Sequence, residues 1–184
     1  MGRFRLYPNN FMRIHLASLL DLAALKSIGQ QTFTETFAEG NTAENLARYL
    51  TEGFSDEKLT AELENENSQF YLAEKEDKVL GYLKVNTGDA QSEKQDPAAL
   101  EIERIYVLQE YHGKEVGVKL YEHALTIALH RKAPFIWLGV WEKNPRAIRF
   151  YQKQGFVEFD QHIFQLGDDA QTDILMKKVI LPTN

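Results

Sequence analysis

The sequence predicts a mixed α/β domain. Its sheet of six or seven strands is mostly antiparallel, the central pair is parallel and splayed by a β-bulge, and helices cover both faces. Three observations predict it. Residues 68–86 and 156–180 each read as two strands joined by a turn, as antiparallel hairpins do. Between them runs a strand, helix, strand series over 100–141, which calls for a parallel pairing. In the strand LEIERIYV, Leu100 and Ile102 alternate with Glu101 and Glu103, but the next apolar pair is Ile105 and Val107. That slip of one residue in a period of two is absorbed by an extra, bulged residue near Glu103 to Ile105.

The elements follow in order. Residues 1–11 read as an N-terminal extension, with a single domain over 12–184. MRIHLA, from Met12, is an edge strand. Leu19, Leu20, Leu22, Leu25 and Ile28 recur at helical spacing behind a Ser18 cap with Asp21 three residues on. A second helix runs from Thr42 or Ala43 through Leu50, and a third covers SDEKLTAELENE, opened by Ser55. SQFYLAEK and VLGYLKVN form the first hairpin, and TGDAQSEKQDPA is a polar loop. After the bulged strand comes a helix from about Lys114 to His130, then APFIWLGVW, a fully buried strand by composition. Asn144 and Pro145 take the cap and first-turn positions of a helix that stops before Gly155. FVEFDQHIFQL and TDILMKKVI close the chain, paired through Gly167, Asp168 and Asp169.

Composition narrows the function. The 184 residues carry 27 acidic and 21 basic side chains for a net charge of -6, and no cysteine. Disulfides, thiolate nucleophiles and Cys-ligated zinc are excluded, and a reducing, cytoplasmic setting fits. No apolar run reaches membrane-spanning length, and the start MGRFRLYPNN lacks the apolar stretch of a signal peptide. The negative charge argues against nucleic acid and favours a cationic partner. His123 and His130 lie seven apart without a third ligand, so no metal is expected. Monomer and homodimer remain open.

The strand-turn-helix junction after Val107, YHGKEVG, presents unpaired amides and the positive end of a helix dipole, an anion site by construction. It is neither a Walker loop nor a dinucleotide fingerprint.

YVLQEYHGKEVGVKLYEHAL resembles the acetyl-CoA motif of the GNAT superfamily of N-acetyltransferases, Q/R-x-x-G-x-G/A, and NPRAIRFYQKQGF resembles that family's second signature, N-x-x-A-x-x-F-Y-x-K-x-G-F. The likeness spans about Ser18 to Lys178. In TFTETF, LEIERIYV, IWLGVWEKN and DDAQTDILM it is nearest to PaiA-type spermidine/spermine acetyltransferases. Two positions depart from the pattern: His112 stands at Q/R, and Glu115 stands at the first motif glycine, where a carboxylate opposes a diphosphate. Gly117 matches.

The resemblance implies a GNAT-like fold and acetyl transfer from acetyl-CoA, as co-substrate, to a small cationic primary amine such as spermidine, by direct attack in a ternary complex. Backbone groups of Ile105, Tyr106 and Val107 would hold the pantetheine arm. The turn His112, Gly113, Lys114, Glu115, Val116 and Gly117 would hold the diphosphate, with Asn144 and Tyr151 completing the cofactor contacts. The backbone N–H of Ile105 would stabilise the oxyanion, and Tyr151 would protonate the leaving thiolate. An amine with a pKa near 10.4 must lose a proton first, and Glu103 is preferred over Glu101 as base. Glu35, Glu39 and Trp141 are candidates for the acceptor side, although a solvated helix face explains the two glutamates equally well. A protein lysine or N-terminus as acceptor, and a CoA-binding regulatory module with weakened catalysis, are the alternatives.

Overall fold

The computed structural model describes residues 11–166 and 168–180. The expected extension therefore lies outside the described residues but for Phe11, as does Gly167 of the last turn. Strand β1 (Arg13–Leu16) precedes a 3-10 turn at Leu19–Asp21, where the Ser18 side chain accepts from Leu20 N–H and Asp21 accepts back from Ser18 N–H. This capping box launches α1 (Leu22–Phe37). Helix α2 (Ala43–Gly53) is capped by Thr42 and α3 (Asp56–Glu64) by Ser55. Strands β2 (Ser68–Lys75) and β3 (Lys78–Asn86) form the first hairpin. Strand β4 (Leu100–Val107) leads to α4 (Val116–Arg131), β5 (Phe135–Trp141), α5 (Pro145–Lys153) and the second hairpin, β6 (Val157–Leu166) with β7 (Asp169–Val179).

The seven strands make one sheet in the order β1-β2-β3-β4-β5-β7-β6. Among the described residues only β4 and β5 run parallel, and their pairing stops after Leu100 with Ile136 and Glu101 with Trp137. Beyond those two pairs the strands part, as the slip in LEIERIYV predicts. Against β3, Lys84 lies opposite Arg104 and Val85 opposite Ile102, so Glu103 is the extra residue. The bulge restores the pattern: Leu100, Ile102, Ile105 and Val107 pack in the core under α4 and α5, with Leu120, Ala124, Leu138 and Met176. Tyr106 joins the core under α1–α3, with Phe33, Phe37, Phe54 and Leu59. A small third cluster, Ala99, Trp137 and Leu175, lies under the 87–99 segment.

Several details differ from expectation: α2 runs on to Gly53 and β7 begins three residues before TDILMKKVI, at Asp169. Helix α4 starts at Val116, two residues late, because Gly113 (φ 77°) and Glu115 (φ 64°) are left-handed and cannot belong to a right-handed helix. Strand β5 is not buried throughout: Gly139 is exposed, because the edge facing β4 is open there.

Helix α1 approaches Phe54 through Gly29, where an added Cβ would stand 2.3 Å from the ring's Cε1. Phe54 is buried and has little room to give. Gly29→Ala should therefore destabilise, overpacking at ~1–3 kcal/mol outweighing the gain of up to ~1 kcal/mol in helix propensity. Urea unfolding checks this, and a stabilised variant would show that the ring yields.

Candidate active site

The gap between β4 and β5 is lined by backbone. Leu108 N–H donates to Leu80 O, toward β3. By alternation the N–H and C=O groups of Ile105 and Val107 face the other way, into the gap. Those of Tyr106 face β3, where Tyr106 O lies close against Gly81. The Tyr106 ring packs beside Phe37 (centroids 6.4 Å) and Tyr82 (6.0 Å) on the α1 side. The Tyr106 ring therefore sits on the α1 side of the sheet, while the gap is lined by the backbone of its neighbours Ile105 and Val107.

At the turn after β4, the amides are not equally free. His112 N–H donates to Gln109 O and Lys114 N–H to Tyr111 O, so neither can serve an anion. The first-turn amides of Val116, Gly117 and Val118 have no intrahelical acceptor, and the first such bond of α4 is Lys119 N–H to Glu115 O. Gly113 is left-handed with nothing within 4 Å of its Cα face. These groups fit a diphosphate, which needs donors and close backbone approach. The Val116 side chain is buried in the core and leaves only its amide for the site. The Glu115 side chain is exposed and makes no capping bond. Its φ of 64° explains why a glycine belongs at this position.

His112 has a role the motif does not supply. Its Nε2 lies 2.8 Å from Val107 O and its Nδ1 meets Arg146 Nη1. A carbonyl on one side and a guanidinium on the other fit the neutral Nε2–H tautomer, donating to Val107 and accepting from Arg146. The ring so ties the mouth of the gap to the start of α5 and engages one of the carbonyls expected to meet the pantetheine arm.

On the α5 side, Asn144 Oδ1 caps the helix by accepting from Ala147 N–H at 3.1 Å. Seven residues on, Tyr151 is 6% exposed, edge-on to Phe150 (5.2 Å) and Phe156 (5.5 Å). Burial pushes its phenol well above the ordinary value, so the hydroxyl stays protonated and is a donor.

The opposite face of β4 holds a charged network that sequence reading missed. Lys84, 4% exposed, contacts Glu103 at 2.6 Å and Glu62 of α3 at 3.1 Å. Arg104 lies 3.4 Å from Glu103 and stacks over Phe54 at 5.2 Å. Asn86 Nδ2 donates to Glu103 at 2.6 Å and to Glu101 at 2.9 Å. Burial alone would raise the Glu103 carboxyl, but Arg104, Lys84 and the hydrogen bonds outweigh it and hold it below the ordinary carboxylate range. A carboxylate so held is a poor proton acceptor, which counts against the preferred base. Glu101 is 2% exposed and sealed by Ser92 and Asn86, and burial raises it. It stands beside Trp137, where the strands are still paired, away from the opening. The legible signal for the network was Lys84, a lysine on the inward phase of YLKVN.

Of the acceptor-side candidates, Glu35 does structural work: its Oε2 accepts Gln109 N–H at 2.7 Å, bracing the turn after β4 from α1. Glu39 is exposed in the 3-10 turn Ala38–Gly40. Trp141 packs against Phe37 (5.5 Å) and Gly40, whose Cβ would stand 2.6 Å from the indole.

Comparison with known proteins agrees with this geometry. Residues 33–156 match the model of the Acetyltransferase (GNAT) family. The uncharacterized N-acetyltransferase of the pepI 3′ region in Lactobacillus delbrueckii subsp. lactis is 38% identical over 170 residues, 92% of this chain and 98% of that protein. Among solved structures, PaiA N-acetyltransferase from Thermoplasma acidophilum, in complex with coenzyme A, superposes with a TM-score of 0.77 at 24% identity, covering 92% of this chain and 99% of that one. The ribosomal-protein-S18-alanine N-acetyltransferase from Escherichia coli gives 0.70 at 18% identity, covering 95% and 97%.

Two outcomes follow. Glu115→Gly should stabilise the fold by about 1 kcal/mol in urea unfolding, since a left-handed residue with a side chain costs ~1–2 kcal/mol and the looser unfolded chain takes part of that back. Calorimetry should show acetyl-CoA binding tightened by up to about tenfold, ~1.4 kcal/mol; weaker binding would give the carboxylate a positive role. Lys84→Met should cost about 3–5 kcal/mol at pH 7 by leaving buried carboxylates uncompensated. Because the folded Glu103 pKa is depressed, its contribution is present above the unfolded value near 4.3 and lost as pH falls through the folded one. The gap between wild type and variant should therefore narrow on acidification, and a gap constant with pH would remove Glu103 from the account.

Proposed function

The chain belongs to the acetyltransferase (GNAT) family, and we propose that the amine it acetylates is a small polycation such as spermidine or spermine. The activity itself is that of an acetyl-CoA-dependent N-acetyltransferase, with acetyl-CoA as co-substrate. The observation that carries the acceptor is the carboxylate rim on the α1–α2 side of the gap. Glu39 is exposed beside Gly40, which seats against Trp141. Asp168 and Asp169 stand in the facing hairpin, joined to Asn41 through Gln171, which donates to Asn41 Oδ1 and Asp169 Oδ2 at 2.8 Å each. Arg48 of α2 stands 3.8 Å from Asp168 and offsets part of this charge; the remaining carboxylate excess raises the local concentration of a cationic ligand.

When bound, acetyl-CoA supplies a thioester carbonyl as electrophile. The chain's own groups do the rest. Ile105 and Val107 offer N–H and C=O groups to the pantetheine arm as an added strand would, with the Ile105 N–H directed at developing oxyanion charge. Gly113 and the first-turn amides of α4 hold the diphosphate. Asn144 keeps its amide nitrogen for the cofactor while its oxygen caps α5. Tyr151, protonated by burial, gives a proton to the leaving sulfur. Glu103, fixed as an anion by Lys84 and Arg104, draws a cationic acceptor toward the vertex of the gap without taking its proton.

Thiol release from acetyl-CoA, measured with spermidine, spermine, a lysine peptide, an alanine-initiated peptide and no amine, tests the acceptor. Turnover on the peptides alone would overturn the polyamine reading. Tyr151→Phe should lower kcat by about 10²-fold, the low end for a general acid, because a thiol of pKa near 8.5 is already a fair leaving group. The KM for acetyl-CoA should hardly move; a change in KM with kcat intact would make the hydroxyl a binding group only.

A further inference from the structure

Glu103 is held as a weak base and Glu101 is sealed where β4 and β5 still pair, so neither is placed to deprotonate an incoming amine. A third carboxylate is. Asp173 of β7 lies directly opposite Trp141 of β5 on one side and His162 of β6 on the other. Directly opposed residues share a face of the sheet, and here it is the face away from α4 and α5, since the alternating Ile174 and Met176 belong to the core under those helices.

Gly139 gives this carboxylate its outlook. It is exposed, two residues past the last pairing of β5 with β4, on the edge where the gap is open. A Cβ built on Gly139 would stand 3.6 Å from Asp173 Oδ2. With no side chain there, position 139 of β5 puts nothing between the Asp173 carboxylate and the gap. Two polar atoms on the same face lack a partner among the described residues: Oε1 of Gln171, a side chain only 4% exposed, and Nε1 of Trp141. No hydrogen bond to the Asp173 carboxylate occurs among the described residues either. A half-buried carboxylate, an amide oxygen two residues along the same strand and a bare backbone edge make a receptor for an ammonium group.

We propose that Asp173 is the carboxylate that receives the acceptor ammonium beside the β4–β5 gap and takes its proton. The inference deepens the reading above: it rests on an amine reaching the gap, but not on that amine being a polyamine. In the step, one N–H bond of the ammonium breaks, the proton passes to a carboxylate oxygen of Asp173, and the electron pair stays on nitrogen for attack on the thioester carbon. Asp173 then releases the proton to solvent. As the C–S bond breaks, its electron pair goes to sulfur, which takes a proton from the Tyr151 hydroxyl; the second proton shed by the nitrogen restores Tyr151.

The environment suits the task. Burial pushes the Asp173 carboxyl up to about 6, with His162 opposing. His162 is in turn 2.6 Å from Glu93 of the 87–99 segment. Among the nearest side chains on this face, Trp141 from β5 and Gln171 and Leu175 from β7 carry no charge; Asp169, four residues back in the same phase of β7, is the further carboxylate, and it accepts from Gln171.

Acetyl transfer by the full chain is measured from pH 5 to 9 with acetyl-CoA and, in parallel, spermidine and an alanine-initiated peptide. Wild-type kcat should fall as pH drops through about 6. The isosteric Asp173→Asn should lower kcat by about 10²-fold or more, remove that acid limb and leave the KM for acetyl-CoA unchanged. Asp173→Asn retaining the wild-type rate, or losing rate while keeping the limb, would overturn the proposal. A wild type that uses only the peptide defeats the polyamine reading and leaves the Asp173 comparison to be read on the peptide. Independently of turnover, carboxyl carbon NMR should show one aspartate titrating near pH 6 that is missing in Asp173→Asn; titration of Asp173 near the ordinary 3.9 would overturn the assignment.

Discussion

One additional residue in one strand sets most of this architecture. With Glu103 unpaired against β3, β4 bends from β5, and after only two pairs, at Leu100 and Glu101, the sheet has a gap at its centre. The bulge turns Ile105 and Val107 back into the core under α4, and it puts Glu103 and Arg104 side by side on the other face. Without it, either the apolar pair would point at α1 or the two strands would run on together and close the opening. Local disorder of the ladder and global usefulness of the sheet are here the same event.

Placing two adjacent charged residues on a face that α1–α3 must cover creates a second constraint. Glu103 and Arg104 cannot reach water freely, so Lys84, Glu62 and Asn86 are arranged around them. Such an arrangement is not a large source of stability, because desolvation opposes the Coulombic gain. Its effect is to hold Glu103 as an anion beside Lys84 and Arg104. The chemistry left for a mobile proton then falls to groups whose burial is less completely compensated.

The slip between Ile102 and Ile105, the caps at Ser18, Ser55 and Asn144, and the hairpins were legible because each is a local rule whose signal lies within a few residues. The same holds for the turn after β4, although which of its amides are free depends on whether His112 and Lys114 N–H groups find acceptors nearby, which spacing does not specify. What a face meets across the fold was not legible. A period of two places Lys84 and Asp173 on one face of their strands but says nothing of what covers that face, and it is the cover that turned Glu103 into a fixed anion. Glu35 shows the reverse: an acidic residue on a solvated-looking helix face proves to hold the Gln109 amide 74 positions away.

The 87–99 segment, a polar loop by composition, is attached to three strands. Ser92 N–H reaches Glu101 of β4, Gln91 accepts from Trp137 of β5, and Glu93 meets His162 of β6. The first two anchors are part-buried hydrogen bonds and the third is a more exposed contact between an imidazole and a carboxylate. In terms of local unfolding, the strap is graded from a tight end at β4 to a loose end at β6. Amide exchange should therefore be slowest at Ser92 and faster toward Lys94, and transient release of the loose end would uncover the β6–β7 side of that sheet face without disturbing β4 and β5.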